Sequence, residues 1–375
     1  MIKPLTSLRF FFAFFVFLSH LTFANTDNKL LQWLQRNVFF EGYLGVSFFF
    51  ILSGFVLTYS YRERFSHGTI TKKSFYIARF ARIYPLHFLT LILAVPIIYF
   101  HNSLAISSFF INLFLLQSFI PKEDLFFSFN APAWSISNEM FFYLIFPFLI
   151  ILFEKIKILK TLFYIAAPLI LVVGIILVPE HYHKPLFYVN PIIRSFDFIL
   201  GMLLYDLFKN EKFKSLFSTI KRATLAELFT MLIFLIFFIF HNYFARGFRF
   251  SVYYWIPMCL IIYTFAQNKG YLSKLLSNNI LVFLGEISFG FYMIHYLVIT
   301  YGNMLKDSYF VNFNEINLSI IYFIVTIVLS CLSFLYYEKP MNTSIKKKLI
   351  KQWSQKKYTT AGSVAIQNQN LSTFA

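Results

Sequence analysis

The amino-acid sequence predicts an all-α integral membrane protein, with about ten transmembrane helices, one re-entrant or interfacial segment and both termini in the cytoplasm. Three observations carry this expectation. Of the 375 residues, 58% are apolar and only 13% are charged, about half the charged share of a soluble domain. A soluble chain of this length could not cover its surface. The apolar residues fall into runs of roughly 20, the length that spans a bilayer as a helix. The basic residues lie between those runs, concentrated in alternate gaps, as membrane orientation requires. Strand-like alternation is absent, which argues against a β-barrel. The 22% aromatic content suits lipid-facing helices and interfacial belts and argues against disorder.

Eleven apolar runs follow one another at about 7–24, 42–60, 83–100, 104–120, 136–153, 161–179, 188–208, 224–241, 251–267, 280–300 and 317–337. The first run keeps Arg9 and His20, which a disposable signal segment rarely carries. The two cysteines, Cys259 and Cys331, lie inside apolar runs and read as buried thiols rather than a bridge. The net charge is +17. In a soluble domain that would raise nucleic acid as a partner, but no nucleic-acid motif is present and none is expected. Membrane lipids are the expected surroundings.

Lys and Arg decide the orientation. The stretch 61–82 holds Arg62, Arg64, Lys72, Lys73, Arg79 and Arg82. The stretches 154–160, 209–222, 268–279 and 338–357 are basic too, and with Lys3 and Arg9 this side collects 25 of the 33 Lys+Arg. The positive-inside rule puts these in the cytoplasm. Three apolar runs separate the loop ending at Arg82 from the one starting at Glu154, so one of them cannot cross. The region 104–138, with Asn112, Gln117, Pro121 and Pro132, is the candidate for a re-entrant or interfacial stretch on the outer side, allowed where protein or water satisfies its backbone. The chain divides into a transmembrane domain, 1–340, and a basic cytoplasmic tail, 341–375.

Charged groups inside a membrane are costly and mark candidate sites. Arg9 and His20 are eleven residues apart, a rise of about 16.5 Å on nearly one helix face. An imidazole shielded from water suits a general base, although an interfacial histidine bonded to a carbonyl fits as well. Arg79 and Arg82 stand at the cytoplasmic mouth of a span, where guanidiniums grip phosphates bidentately or meet lipid headgroups. In APAWSISNEMFFYLIFP, Glu139 enters an apolar run beside Trp134, Ser135 and Ser137, either as a functional acid or as a first-turn acid of a capped helix. Arg194 and Asp197 are three apart and can neutralise each other. His295 and Glu286 are further ionisable groups in a span, with His295 reading as a structural hydrogen-bonding partner. The glycines of GYLGVSFFFILSGF suit close helix packing. No metal-ligand cluster or phosphate-binding glycine loop is present.

In chain order, Arg9 and His20 at Arg-x10-His spacing, GYLGVSFFFILSGF, RFAR before a proline, PAWSISNEMFFYLIFP, RSFDFILGM, ISFGFYMIH and EKP resemble the acyltransferase 3 family of membrane O-acyltransferases. The resemblance runs from Leu8 to Pro340. Two positions depart from the usual pattern: Asn138 precedes Glu139 where a small or apolar residue is more usual, and Ser47 stands where an acid is common. About 35 residues follow EKP, so no fused hydrolase-like domain is expected.

The resemblance implies transfer of an acyl group, commonly acetyl, from acyl-coenzyme A to a hydroxyl of a cell-surface carbohydrate such as O-antigen, capsule or exopolysaccharide, at a bacterial inner membrane. Acetyl-CoA or another acyl-CoA is then the co-substrate, with no metal. Arg9, Arg79 and Arg82 would hold the donor and His20 and Glu139 would serve catalysis, with Glu139 in an outer vestibule. Trp134, Ser137 and Arg194 would meet the acceptor. His20 either deprotonates the acceptor hydroxyl or is itself acylated. A transporter or flippase for a lipid-linked glycan is the rival of a different class; the ordered motifs favour the enzyme.

Overall fold

The computed structural model describes residues 2–23, 28–100, 106–309 and 313–349. Ala24, the first residues of the 104–120 run and the tail beyond Leu349 lie outside them. Every regular element among the described residues is helical. The α-helices are α1 (Lys3–His20), α2 (Lys29–Asn37), α3 (Leu44–Ser66), α4 (Lys72–Phe100), α5 (Ile106–Leu113), α6 (Glu123–Phe126), α7 (Ala133–Lys155), α8 (Ile158–Leu177), α9 (Pro191–Lys209), α10 (Ile220–Ile239), α11 (Arg246–Arg249), α12 (Trp255–Ala266), α13 (Tyr271–Leu276), α14 (Asn279–Tyr309) and α15 (Glu315–Ser333). A π-helical turn, Phe334–Glu338, follows α15.

Among the described residues, seven helices are long and apolar enough to cross a membrane, and α9 with the segment bent 49° before it makes an eighth. The expectation of ten adds α1 and α12. α1 has 18 residues but spends three on Lys3, Arg9 and His20, and α12 is apolar but only 12 residues long. α8 and α10 are peripheral. Leu169, Ile176, Leu225 and Phe229 are exposed on them, the surface a lipid-facing helix presents.

The bundle is tight where small residues let backbones touch. A Cβ on Gly54 would come 1.9 Å from the Phe198 carbonyl oxygen, and one on Gly201 would come 1.9 Å from that of Ile51. α3 and α9 therefore cross in direct contact, the close approach glycine permits. α1 lies along α14, with Phe10 and Phe17 both meeting Phe291 at ring-centroid distances of 5.5 and 5.7 Å.

The stretch between α4 and α7 is folded onto protein. α5 has eight residues, about 12 Å of helix against the roughly 30 Å of a bilayer core. Its polar residues turn inward. The Gln117 amide donates to the Ala133 carbonyl at 3.1 Å, and Ser118 to that of Trp134 at 2.7 Å. Asn130 donates to the Met293 carbonyl at 2.9 Å, and His87 Nε2 meets the Asn112 carbonyl at 2.9 Å.

Ion pairs sort the loops into two ends. At one end Arg62 pairs with Glu154 and Asp206, Lys160 with Asp206, and Lys209 with Glu63. At the other end Glu41 pairs with Arg249, and Lys184 with Glu123. The first group joins loops and helix ends on the lysine- and arginine-rich side. The second joins only loops on the opposite side.

Candidate functional site

Five helices line one cavity of about 170 Å³. α1 contributes Arg9. α3 contributes a stripe that includes Phe49, Phe50 and Ser53. α4 contributes Arg79 and Arg82, α7 contributes Ser135, Glu139 and Tyr143, and α14 contributes Ser288, Phe289 and Tyr292. The α7 residues recur at helical spacing, which puts them on one face.

The cavity is cationic. Arg79 donates from Nη2 to the Tyr61 hydroxyl at 3.0 Å and lies over the rings of Tyr61 and Tyr143 at 5.3 and 5.7 Å. Its Nε is buried without a hydrogen-bond partner. Arg82 lies over the Phe289 ring at 5.8 Å. Among the described residues none of Arg9, Arg79 and Arg82 closes a salt bridge. Glu139 balances them in part. Its Oε1 accepts from the Tyr143 hydroxyl at 2.5 Å and from Ser53 at 3.3 Å. Cations without ion-pair partners around a cavity form an anion site, and a planar guanidinium fits phosphate bidentately.

Glu338 lies near the arginines but outside the cavity lining. It is 5% exposed and lies within electrostatic reach of Arg82 and Arg9. Its Oε1 accepts from Ser333 at 3.3 Å, and its Oε2 is buried and unpaired. Lys346, eight residues on, is within electrostatic reach of Arg79 and Arg82.

Of the residues the sequence singles out, Arg9, Arg79, Arg82 and Glu139 come together. Glu139 was expected in a separate outer vestibule; it shares the cavity with the arginines. His20 does not line the cavity. It lies further along α1, with Nδ1 2.9 Å from the Val16 carbonyl and 3.4 Å from His295 Nε2. Trp134, Ser137 and Arg194 are placed elsewhere than expected. The Trp134 indole is 3% exposed and packs on Tyr188 at 4.5 Å, so it offers no open platform. Ser137 donates to the Leu115 carbonyl at 2.5 Å. Arg194 is completely buried, pairs with Asp197 at 3.0 Å, and donates to the Phe250 carbonyl and to Ser47. Glu286 is half-buried and does not line the cavity. Sequence reasoning missed Tyr143, Tyr292 and Tyr61, and assigned no role to Glu338 although the EKP motif holds it. Tyr143, one turn from Glu139, had the clearest signal. Among the described residues no group of three His, Cys, Asp or Glu side chains could hold a metal ion.

The fold and the cavity define a multi-pass membrane protein that can take an anionic ligand inside its bundle. The chain belongs to the acyltransferase 3 family: the acyltransferase domain matches residues 4–335. It is 29% identical to acyltransferase MdmB of Streptomyces mycarofaciens, over 81% of this chain and 80% of that protein. It is 29% identical to the putative acetyltransferase ORF330 of Acidianus two-tailed virus, over 72% and 76%. It is 26% identical to the peptidoglycan O-acetyltransferase OatA of Listeria monocytogenes, over 84% of this chain and 54% of that enzyme, so the match spans about half of OatA. No solved structure matches the chain significantly.

Proposed function

We propose that the protein is a membrane O-acyltransferase that moves an acyl group, acetyl in the simplest case, from cytoplasmic acyl-CoA to a hydroxyl of a cell-surface carbohydrate at a bacterial inner membrane. The observation that carries this reading is the convergence of Arg9, Arg79 and Arg82 on one cavity without salt-bridge partners among the described residues. The donor is polyanionic at its nucleotide end, and these arginines hold its phosphates. On the expectation of ten crossings, with α1 and α12 counted as spans, that end faces the cytoplasm. The loop ion pairs support this, because each joins loops assigned to the same side.

The pantetheine arm runs outward past Glu139. Fixed by Tyr143 and Ser53, the Glu139 carboxyl oxygens accept hydrogen bonds and hold an amide N–H of the arm. His20 lies about 16.5 Å beyond Arg9 along the helix, where an extended arm delivers the thioester. Its imidazole takes the proton of the acceptor hydroxyl as the oxygen bonds to the acyl carbon. The C–S bond breaks, and the leaving thiolate takes up that proton. Trp134, Ser137 and Arg194 pack within the bundle, outside the cavity lining, and do not touch the acceptor.

The test is binding of radiolabelled acetyl-CoA to the protein in nanodiscs, followed by label transfer in membranes that contain the cell's own glycans. Saturable binding and label in the carbohydrate fraction are expected. A protein that carries a lipid-linked glycan across the bilayer but leaves acetyl-CoA unbound would be a flippase.

A further inference from the structure

Beside His20 lies a second histidine that the reaction as described leaves unused. His295 on α14 is completely buried, packed against Phe17, Phe291 and Tyr292. Its Nδ1 lies 3.2 Å from the Phe291 carbonyl. A carbonyl only accepts, so this nitrogen carries the hydrogen and Nε2 carries the lone pair. The same reasoning holds for His20, whose Nδ1 lies 2.9 Å from the Val16 carbonyl. The lone pair of His295 therefore faces the Nδ1–H of His20 across 3.4 Å. Among the described residues His20 is the only other polar group on His295 Nε2, and no protein group occupies His20 Nε2.

We infer that His295 is a positioning residue for His20, giving its Nδ1–H a second acceptor so that Nε2 stays the basic nitrogen aimed at the acceptor hydroxyl. This rests on the acyl-transfer reading above. The α1 carbonyl sets the tautomer from within the same helix. His295 sets the ring's orientation from the neighbouring helix, and Tyr296 flanks it with its ring centroid 5.5 Å away. When Nε2 takes the hydroxyl proton, the ring becomes imidazolium and its Nδ1–H becomes a stronger donor. Two acceptors then share the charge-assisted bond. When the proton leaves for the thiolate, the neutral pair is restored with the hydrogens where they began. The arrangement does the work that a buried carboxylate does behind the histidine of a hydrolytic triad, with a neutral ring that costs less to bury than a charge. His295 does not itself line the donor cavity, so its removal acts on turnover and not on donor affinity.

The test compares His295→Phe, which keeps an aromatic ring and removes the acceptor, with His295→Gln, whose amide oxygen can still accept. Membranes carrying each full-length variant are supplied with radiolabelled acetyl-CoA over a range of concentrations, and label in the carbohydrate fraction gives kcat and the donor KM. The expected result is a kcat lowered about tenfold or more in His295→Phe, less than the 10²–10⁴-fold that loss of the base itself costs. The donor KM should stay within about twofold, and His295→Gln should recover a good part of the loss. A wild-type kcat in His295→Phe overturns the inference while the acyltransferase reading stands. So does a His295→Gln no better than His295→Phe, or thermal unfolding of both detergent-purified variants well below wild type, since each makes the histidine a packing residue. Wild-type membranes that transfer no label overturn the acyltransferase reading and this inference with it.

Discussion

Tyr143 donates its hydroxyl hydrogen to Glu139 at 2.5 Å, one turn along α7, while the same phenol ring carries the Arg79 guanidinium on its face at 5.7 Å. Acid, phenol and guanidinium therefore form one unit across α4 and α7. Hydrogen bonds to charged groups contribute about 1.5–3 kcal/mol. Tyr143→Phe should lower kcat/KM for acetyl-CoA by roughly 10–100-fold on that basis, and Glu139→Gln by at least as much. Label transfer in membranes measures both. Wild-type activity in Glu139→Gln would remove the acid from the site.

Arg79 and Arg82 are expected to bind the donor and take no part in the chemistry. Arg79→Ala and Arg82→Ala should each weaken acetyl-CoA binding to the protein in nanodiscs. Lysine should restore it only in part, because an ammonium lacks the planar fork that meets phosphate oxygens in pairs. Normal donor binding in both alanine variants would leave these residues as orientation signals alone.

The α3–α9 crossing should tolerate no side chain. Gly201→Leu drives carbon into the Ile51 carbonyl, where even a Cβ would sit at 1.9 Å, so the helices must part. Overpacking of a tight interface costs about 1–3 kcal/mol or more. Detergent-purified Gly201→Leu should unfold at a clearly lower temperature than the wild type. An unchanged unfolding temperature would mean the helices are not in contact.

The stretch between α4 and α7 should face the outside. Asp124 is exposed there, whereas the nearby Ser128 is half-buried and bonded to Leu125 and Asn112. With Cys259 and Cys331 replaced by serine, Asp124→Cys should react with an impermeant maleimide added to intact spheroplasts. Labelling only after the inner face is opened would reverse the orientation.

Much of this is legible in the sequence because charge inside an apolar run is expensive. That cost singles out Arg9 and Glu139, which line the cavity together with Arg79 and Arg82 from the mouth of a span, but it also singles out His20, Arg194, His295 and Glu286, which do not line it. Facing is not legible. Trp134 and Ser137 are on α7 with Ser135 and Glu139, but they turn away from the cavity, against Tyr188 and Leu115. In a membrane protein the interior and the lipid are both apolar, so no polar face marks which side of a helix looks inward. Arg194 is visible for the same reason as Arg9. Its pairing with Asp197, three residues on, is legible from spacing, but Ser47 and the Phe250 carbonyl lie far away in the chain, and only the fold shows that Arg194 donates to them. Tyr143 and Tyr292 escape notice because a tyrosine is unremarkable among 24. Of the helices, α1 and α12 are the hardest to assign as spans, since one carries its functional charges and the other is short.

The most direct test compares surface glycan, by mass spectrometry, from cells that lack this protein and from the same cells complemented with wild-type or His20→Ala protein. The account predicts one acyl mass gained per modified unit with the wild type, and none with a His20→Ala protein that reaches the membrane in normal amount. Full acylation by His20→Ala would contradict it, and so would a glycan of the same mass in all three strains.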